Sequence, residues 1–451
     1  MDQPGGARRV VIPWGPLESL ELELPAAWPA ADLVCPDLGG VLANYRDALS
    51  TALERPVGLD PLDRLARPGM TVAIIVDDPS RWTPVRDALP ILLRFIHAAG
   101  VRQEDVTISV GVGRHRPVDA PAMRARVGDE VANMYPCHSP PVDDLEQYVY
   151  LGQTAQGVPV RVFRPVAAAD LRILVGSVLP HLQAGFGGGY KLIFPGCSHR
   201  STLVALHRQG LGGDAGGLLG GDLATNPMRV AIRAAAALLP GPCLSISHLL
   251  GDQGQVLRVV AGHPDAAQDA LSIEARSRFR APPALPADLV VAGNAPWPGD
   301  PMMSFKVLLQ HRAAGKPGGV LAGFFWTNPA EIDRTVPMAA TKAVAATGAV
   351  GGYVARRGLK LADRIAAAIN SPASFMIRWA RELVVDRTVL VYAPPLRERF
   401  GPRLGPVHLF ADQASLWREA ARAVPHDRNE PMRVRVFPHG GLTYACSAQS
   451  T

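Results

Sequence analysis

The chain has 451 residues, 48% of them hydrophobic and 19% charged, which excludes a disordered chain and exceeds what one small core absorbs, so two domains are expected. A formal net charge of +6 on scattered arginines gives no nucleic-acid surface, and with no bilayer-length apolar run and no signal-like N-terminus a cytoplasmic protein with no membrane partner is expected. Five cysteines (Cys35, Cys137, Cys197, Cys243, Cys446), far apart and never in a C-x-x-C spacing, exclude a disulfide framework and a structural zinc site.

The first clear unit covers residues 71–112. TVAIIV reads as a buried strand and DDPSRW as the loop after it. Thr83-Pro84 then supplies an N-cap and an N1 proline for a helix, VRDALPILLRFIHAAG, that ends at Gly100. VTISVGV follows as the next strand. Strand–loop–helix–strand order implies a parallel sheet whose carboxyl ends carry the ligand site. LRILVGSVLP (171–180) is another buried strand, and PMRVAIRAAAALLP (227–240) a helix.

The proline-rich SRFRAPPALPA (277–287) is taken as a domain boundary, separating an N-terminal domain over 1–276 from a C-terminal one over 288–445. Beyond it DLVVAG is a strand, MMSFKVLLQHRAA a helix and GGVLAGFFW a strand. Helical segments around 361–385 lead to the strand TVLVYA, the helix DQASLWREAARAV and the strand MRVRVF. The expected fold class is α/β: two α/β domains with parallel-type sheets and an active-site cleft between them.

HLQAGFGGGYKLIFPGCSHR (181–200) is the most informative stretch. Only five of the 46 basic residues are lysines (Lys191, Lys306, Lys316, Lys342, Lys360). Where arginine replaces lysine wherever a cation suffices, lysine persists where a primary amine is needed. The glycine cluster does not match a Walker loop, because Tyr190 precedes Lys191 and Leu192 follows it. Nor does it match a dinucleotide loop, since a strand-like YKLIF follows instead of a helix. Gly187, Gly188 and Gly189 then point to positive φ or to backbone lying against a flat ligand.

His181 falls just after a buried strand and His207 on a helix, STLVALHRQG; His199, at the start of that helix, is expected to face solvent. His115 follows the strand VTISVGV. Asp77, Asp78 and Arg81 occupy the same edge, where an arginine beside a helix N-terminus suits a carboxylate or phosphate. A surface Asp–Arg pair and structural histidines are the plainer alternative. Two neutral histidines facing each other across a carbon form a matched acid and base, as racemisation requires.

These residues have a family resemblance. DDPSRWTP resembles the DD-x-[ST]-R-x-[ST]-P motif of the nickel-dependent lactate racemase family, GRHRP its G-x-H-R motif, and the run from His181 to His207 its H-x9-K-x15-H segment. The resemblance implies nickel held in a pincer cofactor, pyridinium-3,5-bisthiocarboxylic acid mononucleotide (nickel pincer nucleotide), tethered to Lys191. It makes His207 the metal ligand, His115 and His181 the catalytic acid/base pair, and Arg81 the anchor for a substrate carboxylate. Asp78, Gly187, Gly188 and Gly189 would support the cofactor. The implied reaction inverts a 2-hydroxy acid by hydride transfer, and cofactor-biosynthesis proteins are the implied partners for loading.

The family's N-x-Y-Q-x-x-K segment corresponds to DPMMSFK, keeping Lys306 but placing Met303 where Gln is expected and Met302 where Tyr is. With Lys306 and Met303 as substrate contacts, an apolar side chain replaces an amide, so a hydroxy acid larger or more apolar than lactate is expected. Two other readings remain: a lysine Schiff-base enzyme of the pyridoxal-phosphate type, for which no phosphate cup is evident, and a non-catalytic cofactor carrier.

Overall fold

The computed structural model describes residues 8–16, 18–211, 218–296, 299–368, 374–424 and 431–446. It divides into two compact units, one of Leu38–Gly213 with Gly220–Arg278, the other built around Phe279–Thr451 and including Met1–Asp37.

The first unit is a six-stranded sheet. Its strands are β1 (Val72–Asp77), β2 (Val106–Gly111), β3 (Cys137–His138), β4 (Leu171–Ser177), β5 (Cys243–Leu250) and β6 (Val256–Gly262), in the order β6-β5-β4-β1-β2-β3. All neighbours are parallel except the β5–β6 pair. The strands are near-continuous apolar runs because both faces are covered. Val72, Ile74 and Val76 face α1 (Tyr45–Glu54) and α2 (Val85–Ala98). Ala73 and Ile75 face α3 (Arg200–Gln209) and α4 (Pro227–Ala236). A further helix, α5 (Pro264–Phe279), ends the unit. The carboxyl ends of β4, β1 and β2, side by side, therefore present Ser177, Asp77 and Gly111 on one rim.

The second unit is a seven-stranded sheet. Its core is β7 (Ala287–Gly293), β8 (Gly315–Phe324), β9 (Thr388–Tyr392), β10 (Val407–Phe410) and β11 (Val434–Phe437), parallel to one another. Helices α6 (Pro301–His311) and α7 (Gln413–Ala423) belong to it. The division differs from the expected one at the N-terminus. Asp32–Leu33 forms an edge strand on β11. Val10, Ile12, Leu22, Leu24 and Trp28 join the core of Leu289, Val291, Phe324 and Trp417, with Trp28 edge-on to Trp417 at 5.7 Å. A hairpin of Arg9–Trp14 and Glu18–Glu23 delivers these side chains, its alternation putting Val10, Ile12 and Leu22 inward. Among the described residues no helix is long and apolar enough to cross a membrane.

Candidate active site

β1 runs buried to Asp77, and the turn after it is locked by a residue the motifs did not flag. The Arg126 guanidinium pairs with Asp77 and donates to the carbonyls of Asp77 (3.0 Å), Arg81 (3.0 Å) and Thr83 (3.1 Å). Thr83 was expected to cap α2. Its hydroxyl instead donates to Asp77 Oδ2 at 2.6 Å, and Pro84 occupies the N-cap without a side-chain bond. A buried carboxylate needs donors, and the Thr83 hydroxyl supplies one.

Asp78 is the half of the pair that meets His115. Its Oδ1 accepts from the Ser80 N–H at 2.9 Å and lies 3.2 Å from His115 Nδ1. Burial alone would raise its carboxyl, but His115, Arg81 and Ser80 outweigh burial and hold it well below the usual carboxylate range. Arg81 is fixed by its own N–H on the Asp78 carbonyl (3.0 Å). A turn from Val112, closed by the His115 N–H on the Val112 carbonyl at 2.9 Å, sets the ring after β2. With Nδ1 turned to a carboxylate, the neutral His115 ring keeps its lone pair on Nε2, the arrangement of a proton acceptor.

His181 is built the opposite way. Its Nδ1 accepts from the backbone N–H groups of Gln183 (3.2 Å) and Ala184 (3.1 Å), which places the hydrogen of the neutral ring on Nε2. Nε2 lies 3.2 Å from Lys191 Nζ, where an Nε2–H finds an acceptor only in the neutral amine, the form that acylation also needs. The sequence separated these two residues by a glycine run, and the structure brings them into contact. YKLIF is not the expected strand: Gly189–Leu192 is one turn of 3₁₀ helix. Leu192, buried, drops onto the rim where β4 and β2 carry glycines. A Cβ at Gly176 would meet its Cδ1 at 3.0 Å, and one at Gly111 would meet its carbonyl oxygen at 2.7 Å. Lys191 is thereby held over the carboxyl ends of the strands.

Of the two causes expected for the glycines, positive φ is present at Gly188 and Gly189. Gly188 (φ +78°) and Gly189 (φ +58°) do need the left-handed region, but a Cβ at Gly188 would sit 3.0 Å from the Ser177 carbonyl oxygen. One at Gly189 would sit 2.5 Å from Gln268 Oε1. Gly187 faces the Ser177 and Leu179 carbonyls. Chain lies against chain on these sides, where a flat ring had been expected.

His207, on α3, donates from Nδ1 to the Leu203 carbonyl at 2.8 Å, so its neutral ring has the lone pair on Nε2, as a metal ligand requires. Gln183 links it to the His181 loop by donating from Nε2 to the His207 carbonyl (3.0 Å). Among the described residues no group of three His, Cys, Asp or Glu side chains comes together as a metal site. His199, expected to face solvent, is partly exposed and is the N-cap of α3, its Nδ1 accepting from the Ser201 N–H at 3.1 Å. Met303 and Lys306 lie on α6 in the second unit. Met303 is buried, its Sδ 2.9 Å from Lys306 Nζ, and that ammonium lies 5.8 Å from the Trp379 ring. The Met302 side chain lies outside the described residues.

The fold and this rim define a parallel α/β protein with an Asp–His pair and a His–Lys pair at the carboxyl ends of adjacent strands. Residues 18–216 match the family model of the lactate racemase N-terminal domain. A lactate racemase of Thermoanaerobacterium thermosaccharolyticum is 28% identical over 285 residues, and one of Lactiplantibacillus plantarum 25% identical over 284. Each match covers 62% of this chain and 65% of the relative's length. The lactate racemase apoprotein structure from T. thermosaccharolyticum aligns with a TM-score of 0.77 at 20% identity, covering 97% of this chain and 99% of that one. A crystal structure of a Thermotoga maritima protein aligns with a TM-score of 0.64 at 13% identity, covering 89% and 96%. The chain is thus similar to lactate racemases, and residues 18–216 resemble their N-terminal domain.

Proposed function

We propose that the protein is a racemase or epimerase acting at C2 of a 2-hydroxy acid, with the nickel pincer nucleotide tethered to Lys191 and His207 as nickel ligand. The observation that carries this reading is the 3.2 Å contact of Lys191 Nζ with His181 Nε2, on a rim that also holds the Asp78–His115 pair. The likeness to lactate racemases supports the reaction class. The residues fit the group: a primary amine for acylation, and an imidazole whose Nδ1–H is already spent on Leu203. One histidine suffices for a metal whose remaining donors come from a sulfur–carbon–sulfur pincer.

When bound, the cofactor supplies the acceptor for the C2 hydrogen, as hydride. The chain's own groups do the rest. Arg81 holds the substrate carboxylate, and a guanidinium fork suits it. His115 takes the hydroxyl proton at Nε2, and the Asp78 carboxylate stabilises the imidazolium that results. His181 serves the opposite face, giving or taking the second proton. Lys306 adds a cation for the carboxylate end, and Met303 in place of an amide favours a substituent larger or more apolar than a methyl group. The loading proteins that make the cofactor are the partners this reading requires, in the cytoplasm.

Co-expression with the cofactor-making proteins, followed by intact mass, metal analysis and a panel of D- and L-2-hydroxy acids scored for inversion, tests the proposal. An adduct on Lys191, nickel, and inversion of at least one acid are expected, all lost in Lys191→Ala. Unmodified Lys191 and no nickel would overturn it.

A further inference from the structure

Arg229 is buried on α4, and among the described residues no carboxylate contacts it. Burial pulls its guanidinium down to about 9, with Asp265 opposing from a distance, so it is still charged at neutral pH. A buried cation without a counter-ion is costly unless its donors are all used. Here they are spent on the loop that carries the site. Nε donates to the Ala184 carbonyl at 3.1 Å. One terminal nitrogen donates to Gly188 (3.3 Å) and to Gln268 Oε1 (2.9 Å), and the other to Phe186 and Gly187. Gln268 Nε2 closes the ring on the Gly187 carbonyl. Asn226, the N-cap of α4, accepts the Arg229 N–H (3.1 Å) and donates to the Gln183 carbonyl (3.0 Å).

The peptide groups held this way are the ones that orient His181. The two N–H groups on its Nδ1 belong to Gln183 and Ala184, and the carbonyls of the same two residues are held by Asn226 and Arg229. Gly188, held by Arg229, is the N-cap of the turn that presents Lys191, and its carbonyl also accepts the Lys191 N–H (3.3 Å). We propose that Arg229 is a positioning residue: by gathering the carbonyls of Ala184, Phe186, Gly187 and Gly188 it fixes the His181 tautomer and seats Lys191 against His181 Nε2. This rests on the proposed function only in taking Lys191 as the tether.

The test uses the full chain, unloaded and loaded. Arg172 is the matched control, because it is equally buried and its guanidinium also holds backbone carbonyls (Val166, Ala167, Ala169, Pro240), away from this loop. In the unloaded protein, histidine ring-nitrogen NMR, with His181 identified by its loss in His181→Gln, is expected to show the fixed Nε2–H form. Arg229→Gln should convert it to an average of both tautomers and cut the Lys191 adduct on co-expression by about tenfold or more. Arg172→Gln should lower the melting temperature while leaving both signals in place. If Arg229→Gln is insoluble, Arg229→Lys, which keeps the charge but cannot span the carbonyls, is read by the same criteria. Unchanged His181 signals in a folded Arg229 variant, or equal changes in Arg172→Gln, would overturn the assignment. A wild-type chain with the fixed tautomer but no adduct would instead remove the proposed function and leave the positioning role standing.

Discussion

Replacing Asp78 by Asn keeps the shape of the side chain and removes one negative charge from beside His115. The carboxylate oxygen is 3.2 Å from Nδ1, and the Asp78 side chain is 12% exposed while that of His115 is 38% exposed. Unit charges about 4 Å apart interact by about 4 kcal/mol at an effective dielectric near 20. The open side of the histidine admits water and ions, and that reduces the useful part to about 1–2 kcal/mol. If the imidazolium forms during turnover, its loss should slow inversion about five- to thirtyfold. The substitution also has a signature without turnover. Asp78 is held below its ordinary value of 3.8, so its contribution to stability is complete above that value and disappears as pH falls through and below it. Denaturant unfolding from pH 6 down to pH 3 (about the range over which a carboxylate titrates) should therefore show a shallower acid loss in Asp78→Asn than in the wild type. A variant that inverts substrate within about twofold of wild type, with an unchanged acid limb, would refute the role given to the pair.

Other outcomes follow from the same structure. Ile12→Ala removes a fully buried side chain beside Gly293 and should cost about 2–4 kcal/mol in the unfolding of the second unit, measured by denaturant titration; no loss would place residues 8–37 outside its core. His207→Gln should abolish nickel in the loaded protein while leaving its fold intact by circular dichroism, and retained stoichiometric nickel would exclude it as ligand. His248 is buried between the Tyr45 hydroxyl (2.8 Å) and the Gly176 carbonyl (3.0 Å), and burial pulls it down to about 4. The unfolded chain binds its proton near 6.5 and the folded chain only near 4, so stability is flat above that upper value and falls as pH drops between them. His248→Gln should remove an acid loss on the order of 3 kcal/mol from that interval, visible as a flatter dependence of the unfolding midpoint on pH.

The strands of the first unit were readable because they are buried on both faces. TVAIIV, VTISVGV and LRILVGS need no partner information to be recognised, and their parallel order follows from the intervening helices. The site residues at their carboxyl ends were readable for the same reason. The membership of residues 8–37 in the second unit was not. Its only strand on the large sheet, Asp32–Leu33, is two exposed residues at an edge, too short to carry a period. The hairpin before it alternates, yet alternation states which side is buried and not which sheet covers it. Thr83 and His199 show a second limit. Both sit where a cap or a surface residue is the common outcome, and a tertiary neighbour adds what local pattern does not show: the Asp77 carboxylate for one, the Tyr148 ring, 5.4 Å away, for the other.

The glycine run shows how one absence of Cβ supports two readings. Small residues beside a lysine suggest room for a ligand, but the same absence of Cβ serves carbonyls and a glutamine packed within the chain. Arg229 then donates to the carbonyls of Ala184, Phe186, Gly187 and Gly188 together, adding to the backbone and Gln268 donors that three of them already have. The signal for that was present: NPMRVAIRAAA is an amphipathic helix with Met228, Ala231, Ile232 and Ala235 inward, and Arg229 shares the buried side. A charge on an apolar stripe asks what it neutralises or donates to. Here the answer is four backbone carbonyls leading to Lys191, so the glycines and the arginine are two parts of one device, the first allowing the chain to close on itself and the second holding it closed.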